Sequence, residues 1–178
     1  MVWICTNSRK SFNFIDPEPE QICIEDIACA LSNICRFTGH LDEFYSVAQH
    51  SVLCSTVVPQ KYAFEALMHD AAEAYCNDIA APLKSILPDY KAVEARIDLA
   101  VRHRFNIPVR MSECVKHADL VLLATERRDF DMDDGTVWPI LENIEPAHFL
   151  ITPLNPRQAR VLFITRFNEL WEQHNAKA

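Results

Sequence analysis

His69, Asp70 and Glu73 stand together in an otherwise apolar run, Ala66-Leu67-Met68-His69-Asp70-Ala71-Ala72-Glu73-Ala74-Tyr75-Cys76-Asn77-Asp78. On a helix, positions three and four apart share a face, so the pattern puts Glu73 beside both His69 and Asp70. Three ionisable groups on an apolar helix are costly unless something compensates them. A divalent ion does so, because imidazole nitrogen and carboxylate oxygen are both ordinary metal ligands. The competing reading of an isolated His-Asp dipeptide is a buried hydrogen bond. Two other stretches supply what a metal site needs. His50 lies mid-helix on an apolar face in Tyr45-Ser46-Val47-Ala48-Gln49-His50-Ser51, and Asp119 lies within the apolar helix Val115-Lys116-His117-Ala118-Asp119-Leu120. Taken singly, His50 has the alternative of a satisfied core histidine and Asp119 that of a surface carboxylate. The order His, His-Asp, Asp on three amphipathic helices is more specific than any member.

Those side chains need a helical scaffold, and the hydrophobic pattern provides one. Residues 2–15 alternate apolar and polar about Asn7-Ser8-Arg9-Lys10, which predicts a short β-hairpin, and Asp16-Pro17-Glu18-Pro19 stops it. Ile24, Ile27, Ala28, Leu31, Ile34 and Cys35 recur with helical period, and Glu25 and Asp26 suit the N-terminal end of that helix. Further helices are predicted over about 46–58, with Val47, His50, Cys54 and Val57 on one face, and over about 62–76, carrying the His-Asp pair. A short turn from Pro82 contains Lys84. Longer helices follow over about 90–105, 112–130 and 157–174, the last with Val161, Ile164, Phe167, Leu170 and Trp171 facing inward. Residues 131–156, with four closely spaced acidic or glycine positions and several prolines, read as an irregular connection. No linker or fixed-period repeat divides residues 1–178, so the expectation is a single all-α domain with a small N-terminal hairpin.

Composition narrows the chemistry. Two glycines in 178 residues argue against a glycine-rich phosphate loop or a dinucleotide-binding fingerprint. The net charge of −8 makes a nucleic-acid polymer an unsuitable partner, although a cleft can be locally basic. No apolar run reaches membrane-spanning length, and the first residues lack the regions of a signal peptide. Seven cysteines without a CxxC pair read as small, reduced core residues of a cytoplasmic protein.

The series His50, His69-Asp70 and Asp119 resembles the HD-domain superfamily of metal-dependent phosphohydrolases. The strings Ile24-Glu25-Asp26-Ile27-Ala28, Arg36-Phe37-Thr38-Gly39-His40, Tyr45 to Ser51 and His69-Asp70-Ala71-Ala72-Glu73-Ala74-Tyr75 extend the resemblance over about residues 10–130. They look like the branch that contains the deoxyribonucleotide 5′-nucleotidases and the phage dATP triphosphohydrolases. The resemblance implies an HD-type helical bundle with His50, His69, Asp70 and Asp119 as ligands of a divalent ion (Zn, Co, Mn, Fe or Mg). Such an ion lowers the pKa of bound water and polarises the phosphorus. It further implies that Glu73 transfers a proton and Asp78 holds the attacking water, with a turn residue as the plain alternative for Asp78. Arg36, Lys84 and Lys116 would bind phosphate, Arg36 by its planar fork. His40 would add a donor, and Phe37 would pack against the sugar, unless it is simply a core residue at the helix end.

Two lysines and an arginine suit a polyphosphate. The preferred expectation is therefore a deoxynucleoside triphosphate, dATP first, cleaved to deoxynucleoside and triphosphate. The alternative is release of phosphate from deoxynucleoside monophosphates, and the lesser ones are a non-catalytic nucleotide-binding module or hydrolysis of a cyclic dinucleotide or alarmone. Relatives of this branch are oligomeric, so a homo-oligomer is expected.

Overall fold

Strands β1 (Trp3–Cys5) and β2 (Ser11–Asn13) pair antiparallel with Ile4 opposite Phe12, as the alternation predicts. The computed structural model describes residues 2–176. Phe12 is buried and stacks on Tyr75, ring centroids 4.0 Å apart, which seats the hairpin against the helical core. Eight α-helices follow among the described residues: α1 (Ile24–Asn33), α2 (Val47–Val57), α3 (Ala63–Leu67), α4 (Glu73–Cys76), α5 (Ala81–Ser85), α6 (Pro88–Arg104), α7 (Glu113–Asp129) and α8 (Pro156–Asn175). The chain is all-α with a small hairpin. No helix among the described residues is long and apolar enough to cross a membrane.

Helix α2 is the central element and packs against α1, α3, α7 and α8. Its start is fixed twice. The Ser46 hydroxyl caps it by accepting from the Gln49 amide at 3.2 Å, and the Arg36 and Val47 amides donate to the Tyr45 and Ile34 carbonyls across the loop from α1. The hairpin turn is fixed to α1 by Asp26, whose carboxylate accepts from the Ser8 amide at 2.6 Å and the Ser8 hydroxyl at 2.7 Å. Residues 131–155 are irregular, as predicted, yet well tied down. Arg128 donates to the Ala147 and Phe149 carbonyls, and the Gln49 side chain bridges the Thr152 carbonyl and the Leu154 amide. Helix α8 then begins with a capping box of Asn155 and Gln158 and Pro156 at its first position.

Several expectations need correction. The helix predicted over 62–76 is interrupted: α3 ends at Leu67, α4 begins at Glu73, and tight three-residue hydrogen bonds bridge them, such as Glu73 amide to Asp70 carbonyl at 3.0 Å. The cause lies in His69, whose ring nitrogen Nδ1 donates to the Ala66 carbonyl at 2.8 Å and so claims an acceptor that a regular helix would give to Asp70. On α8 the buried residues are Ala159, Phe163, Phe167 and Leu170, whereas Val161 is 62% exposed. Helix α6 starts at Pro88 itself, a residue suited to a first turn. Of the seven free cysteines, Cys54 alone is fully buried.

Candidate metal centre

His50 and Cys54 lie one turn apart on α2, His69 and Asp70 in the tight turns between α3 and α4, and Asp119 on α7. Glu65 of α3 sets α7 against them. Its buried carboxylate accepts from the Ser112 amide at 2.7 Å and the Ser112 hydroxyl at 2.6 Å, where α7 begins. Helices α2 and α7 and the turns after α3, so fixed, bring together the four predicted ligands. Asp119 Oδ1 is 3.1 Å from His50 Nε2 and 3.8 Å from His69 Nε2, and Asp70 Oδ2 is 3.7 Å and 3.2 Å from the same two nitrogens. Metal–ligand bonds of about 2.0–2.3 Å imply ligand-to-ligand edges of about 3.3–3.8 Å in a tetrahedral shell. The observed edges run from 3.1 to 3.8 Å and cover that range.

Both imidazoles are oriented as a metal needs. The Ala66 carbonyl can only accept, so His69 carries a proton on Nδ1 and turns Nε2 towards the cluster. That Nε2 is buried and has no hydrogen-bond partner of good geometry among the described residues. His50 Nδ1 donates to Glu126 Oε1 at 2.6 Å, which likewise turns Nε2 inward. A ring held by a carboxylate or carbonyl behind it is the usual support for a ligating histidine.

In the sequence Glu126 stands directly before Arg127 and Arg128, which offer it as ready a partner as the site does. In the fold it is fully buried and spans His50 and Arg36, with Arg36 Nη2 at 2.9 Å from Oε2. Arg36 Nη1 continues to Asp70 Oδ2 at 3.8 Å. Glu126 therefore reaches one ligand directly and another through Arg36. Its position seven residues after Asp119 was the available signal. Burial opposes its charge, but Arg36 and His50 outweigh that and hold its carboxyl below the usual range. Cys54 was also missed: it was read as a core residue, although its spacing of four from His50 on one face was visible. Its Sγ lies 3.4 Å from His50 Nε2, and the ligand atoms of His50, Cys54, His69 and Asp119 all fall within 4.8 Å of one another.

The cluster favours positive charge. Burial and Arg36 push His50 towards neutrality, yet Cys54, Glu126 and Asp119 raise it well above the ordinary histidine value. Burial lowers His69, and Asp70 and Asp119 more than reverse this. The Asp119 side chain is 43% exposed; the loss of water it does suffer opposes its charge, while the two histidines hold its carboxyl well below the usual range.

The remaining predicted residues divide. Glu73 is buried, with Oε2 unpartnered, and burial together with the Asp70 and Asp78 charges raises its carboxyl well above the usual value. Burial, chiefly, also raises Asp78, while Arg36 pulls it back. Asp78 follows Asn77, whose φ of 72° and ψ of 159° suit glycine and cost other residues about 1–3 kcal/mol. The Tyr90 hydroxyl donates to the Asn77 carbonyl at 2.9 Å and helps hold this bend. Lys84 Nζ lies 3.9 Å from Glu73 Oε1 but is bonded to Glu94 at 2.6 Å. Phe37, at φ 54°, lies under the Arg36 guanidinium, 5.3 Å from it, and His40 is exposed at the end of that loop. Lys116 is 52% exposed and paired with Glu113 at 2.6 Å, so it is not drawn to the cluster.

Over 173 residues the chain is 56% identical to an Escherichia coli protein with the description "Uncharacterized protein YfdR", and the match covers 97% of each chain. Over 126 residues it is 32% identical to an uncharacterized protein of Rhodobacter capsulatus, covering 65% of this chain and 64% of that one. No protein-family model matches.

Proposed function

The chain belongs to the family of Escherichia coli YfdR, and we propose that it is an HD-type, divalent-metal-dependent phosphohydrolase acting on deoxynucleotides. The observation that carries this reading is the convergence of two inward-facing Nε2 atoms and two carboxylates, from α2, α7 and the turns between α3 and α4, at ligand-to-ligand spacing. A divalent ion held by His50, His69, Asp70 and Asp119 would supply Lewis acidity to a phosphoryl group. Glu73, whose carboxyl is raised above the usual value by burial and by the Asp70 and Asp78 charges, would pass a proton to the leaving oxygen, and its unpartnered Oε2 is the atom available for it. Asp78 orients the attacking water.

The placement of the cations favours one substrate over the other. A triphosphate would need Lys84 and Lys116 beside Arg36, but Lys116 is held by Glu113 on the exposed face and Lys84 by Glu94. Arg36 is the cation that touches the ligand set directly, at Asp70. One guanidinium suits one phosphate, so a deoxynucleoside 5′-monophosphate, cleaved to deoxynucleoside and orthophosphate, is the better match. The second reading, removal of triphosphate from a deoxynucleoside triphosphate such as dATP, rests on Lys84, which lies 3.9 Å from Glu73 and would need only to leave Glu94. A panel of deoxynucleoside mono- and triphosphates, assayed over several divalent metals with product analysis, separates the two. Orthophosphate from monophosphates supports the first reading, and inorganic triphosphate from triphosphates supports the second. A fully metal-loaded protein inert towards every nucleotide overturns both.

A further inference from the structure

We propose that Cys54 is itself a ligand of the ion held by His50, His69 and Asp119, and that its sulfur makes the centre select thiophilic divalent ions over Mg2+ and Mn2+. The inference rests on the metal reading above and deepens it by naming the class of ion.

Two independent features point to it. First, Cys54 lies one helical turn after His50, is fully buried, and has its Sγ 3.4 Å from His50 Nε2. That separation is close to the edge of about 3.6 Å expected between a sulfur and a nitrogen on one tetrahedral ion. Second, the buried and unpartnered His69 Nε2 is aimed into the same space, and the ligand atoms of all four residues lie within 4.8 Å of one another. On its other side Cys54 belongs to a small apolar cluster with Tyr45, Ala66, Val115, Leu122 and Ile151. An aliphatic side chain would satisfy that packing, whereas a thiol adds a donor on the side facing the histidines.

The consequence follows from ligand softness. Two imidazoles and carboxylate oxygen accept Mg2+, Mn2+, Fe2+, Co2+ or Zn2+ with little discrimination, but a thiolate favours Zn2+, Co2+ and Fe2+ over the hard ions. Ligation breaks the Cys54 S–H bond, forms a sulfur–metal bond and releases the proton to solvent, with no change of oxidation state.

The test is anaerobic titration of Co2+ alone into the full chain, freed of metal by chelation, for the wild type, Cys54→Ser and Cys54→Val. The wild type is expected to show visible cobalt bands together with a near-ultraviolet sulfur-to-cobalt charge-transfer band that saturates with them. Both variants are expected to keep the visible bands and lose the charge-transfer band. Their Zn2+ affinity should fall roughly 10- to 100-fold, with Mn2+ affinity unchanged within about two-fold. Cys54→Val preserves the apolar packing, so the comparison survives poor folding of the serine variant. A wild-type cobalt spectrum without the charge-transfer band, or a band that persists in either variant, overturns Cys54 ligation and leaves the phosphohydrolase reading standing. Failure of the wild type to bind cobalt at all overturns both.

Discussion

Glu126 and His50 are joined by a 2.6 Å hydrogen bond across 76 residues of chain, with both side chains wholly out of solvent. The same carboxylate holds Arg36, and Arg36 approaches Asp70, so two ligands of the candidate centre depend on one buried charge. Glu126→Gln keeps the shape but removes the charge. It is expected to weaken divalent-metal binding roughly 10- to 100-fold, read by calorimetric titration. Glu126→Ala leaves the buried Arg36 with only the 3.8 Å approach to Asp70 and should destabilise the fold by about 3–5 kcal/mol in denaturant unfolding. Unchanged metal affinity in the glutamine variant would show that Glu126 is merely structural.

The link between Asp26 and Ser8 predicts a defined acid sensitivity. Burial opposes the Asp26 charge, but the Ser8 hydroxyl and amide and the Cys23 thiol outweigh it, so its folded pKa lies below the ordinary 3.8. A carboxyl with a depressed folded pKa stabilises the native state above its unfolded value, and that stabilisation is lost as the pH falls through the folded one. The Tm difference between wild type and Asp26→Asn is therefore expected to be constant near neutrality and to shrink below pH 3.8. A difference that stays constant down to strong acid would contradict this account of the hairpin anchor.

Phe163 and Val161 test the phase of α8. Phe163 is fully buried against the main core, so Phe163→Ala should cost about 3–5 kcal/mol. Val161 is exposed, so Val161→Ala should change stability by less than about 0.5 kcal/mol. Equilibrium urea unfolding reads both, and similar losses in the two variants would return Val161 to the core.

Much of the centre was legible in the chain because ligand chemistry restricts residue types. His50, His69, Asp70 and Asp119 stand out on helices whose periodicity makes them neighbours of apolar residues. The break between α3 and α4 was not legible. Three of its five residues, Met68, Ala71 and Ala72, are good helix formers, and the interruption comes from one side chain, His69, taking the Ala66 carbonyl. Glu126 was ambiguous because arginines follow it directly, and only the tertiary fold brings Arg36 from 90 residues away. On α8, Ile164, Phe167, Leu170 and Trp171 pack in or against the core as expected, and Val161 alone does not, because Phe163 takes the inward position there. Lys84 and Lys116 are ordinary lysines in sequence, and their partners Glu94 and Glu113 emerge only in the fold.

The central claim is that His69, in the turns after α3, and Asp119, on α7, hold one divalent ion. Calorimetric titration of Co2+ into wild type, His69→Ala and Asp119→Ala, each first checked for native helical content by circular dichroism, tests it most directly. The account predicts saturable binding in the wild type and loss of that binding in both variants, with the fold retained. Equal binding in folded His69→Ala and wild type would contradict it.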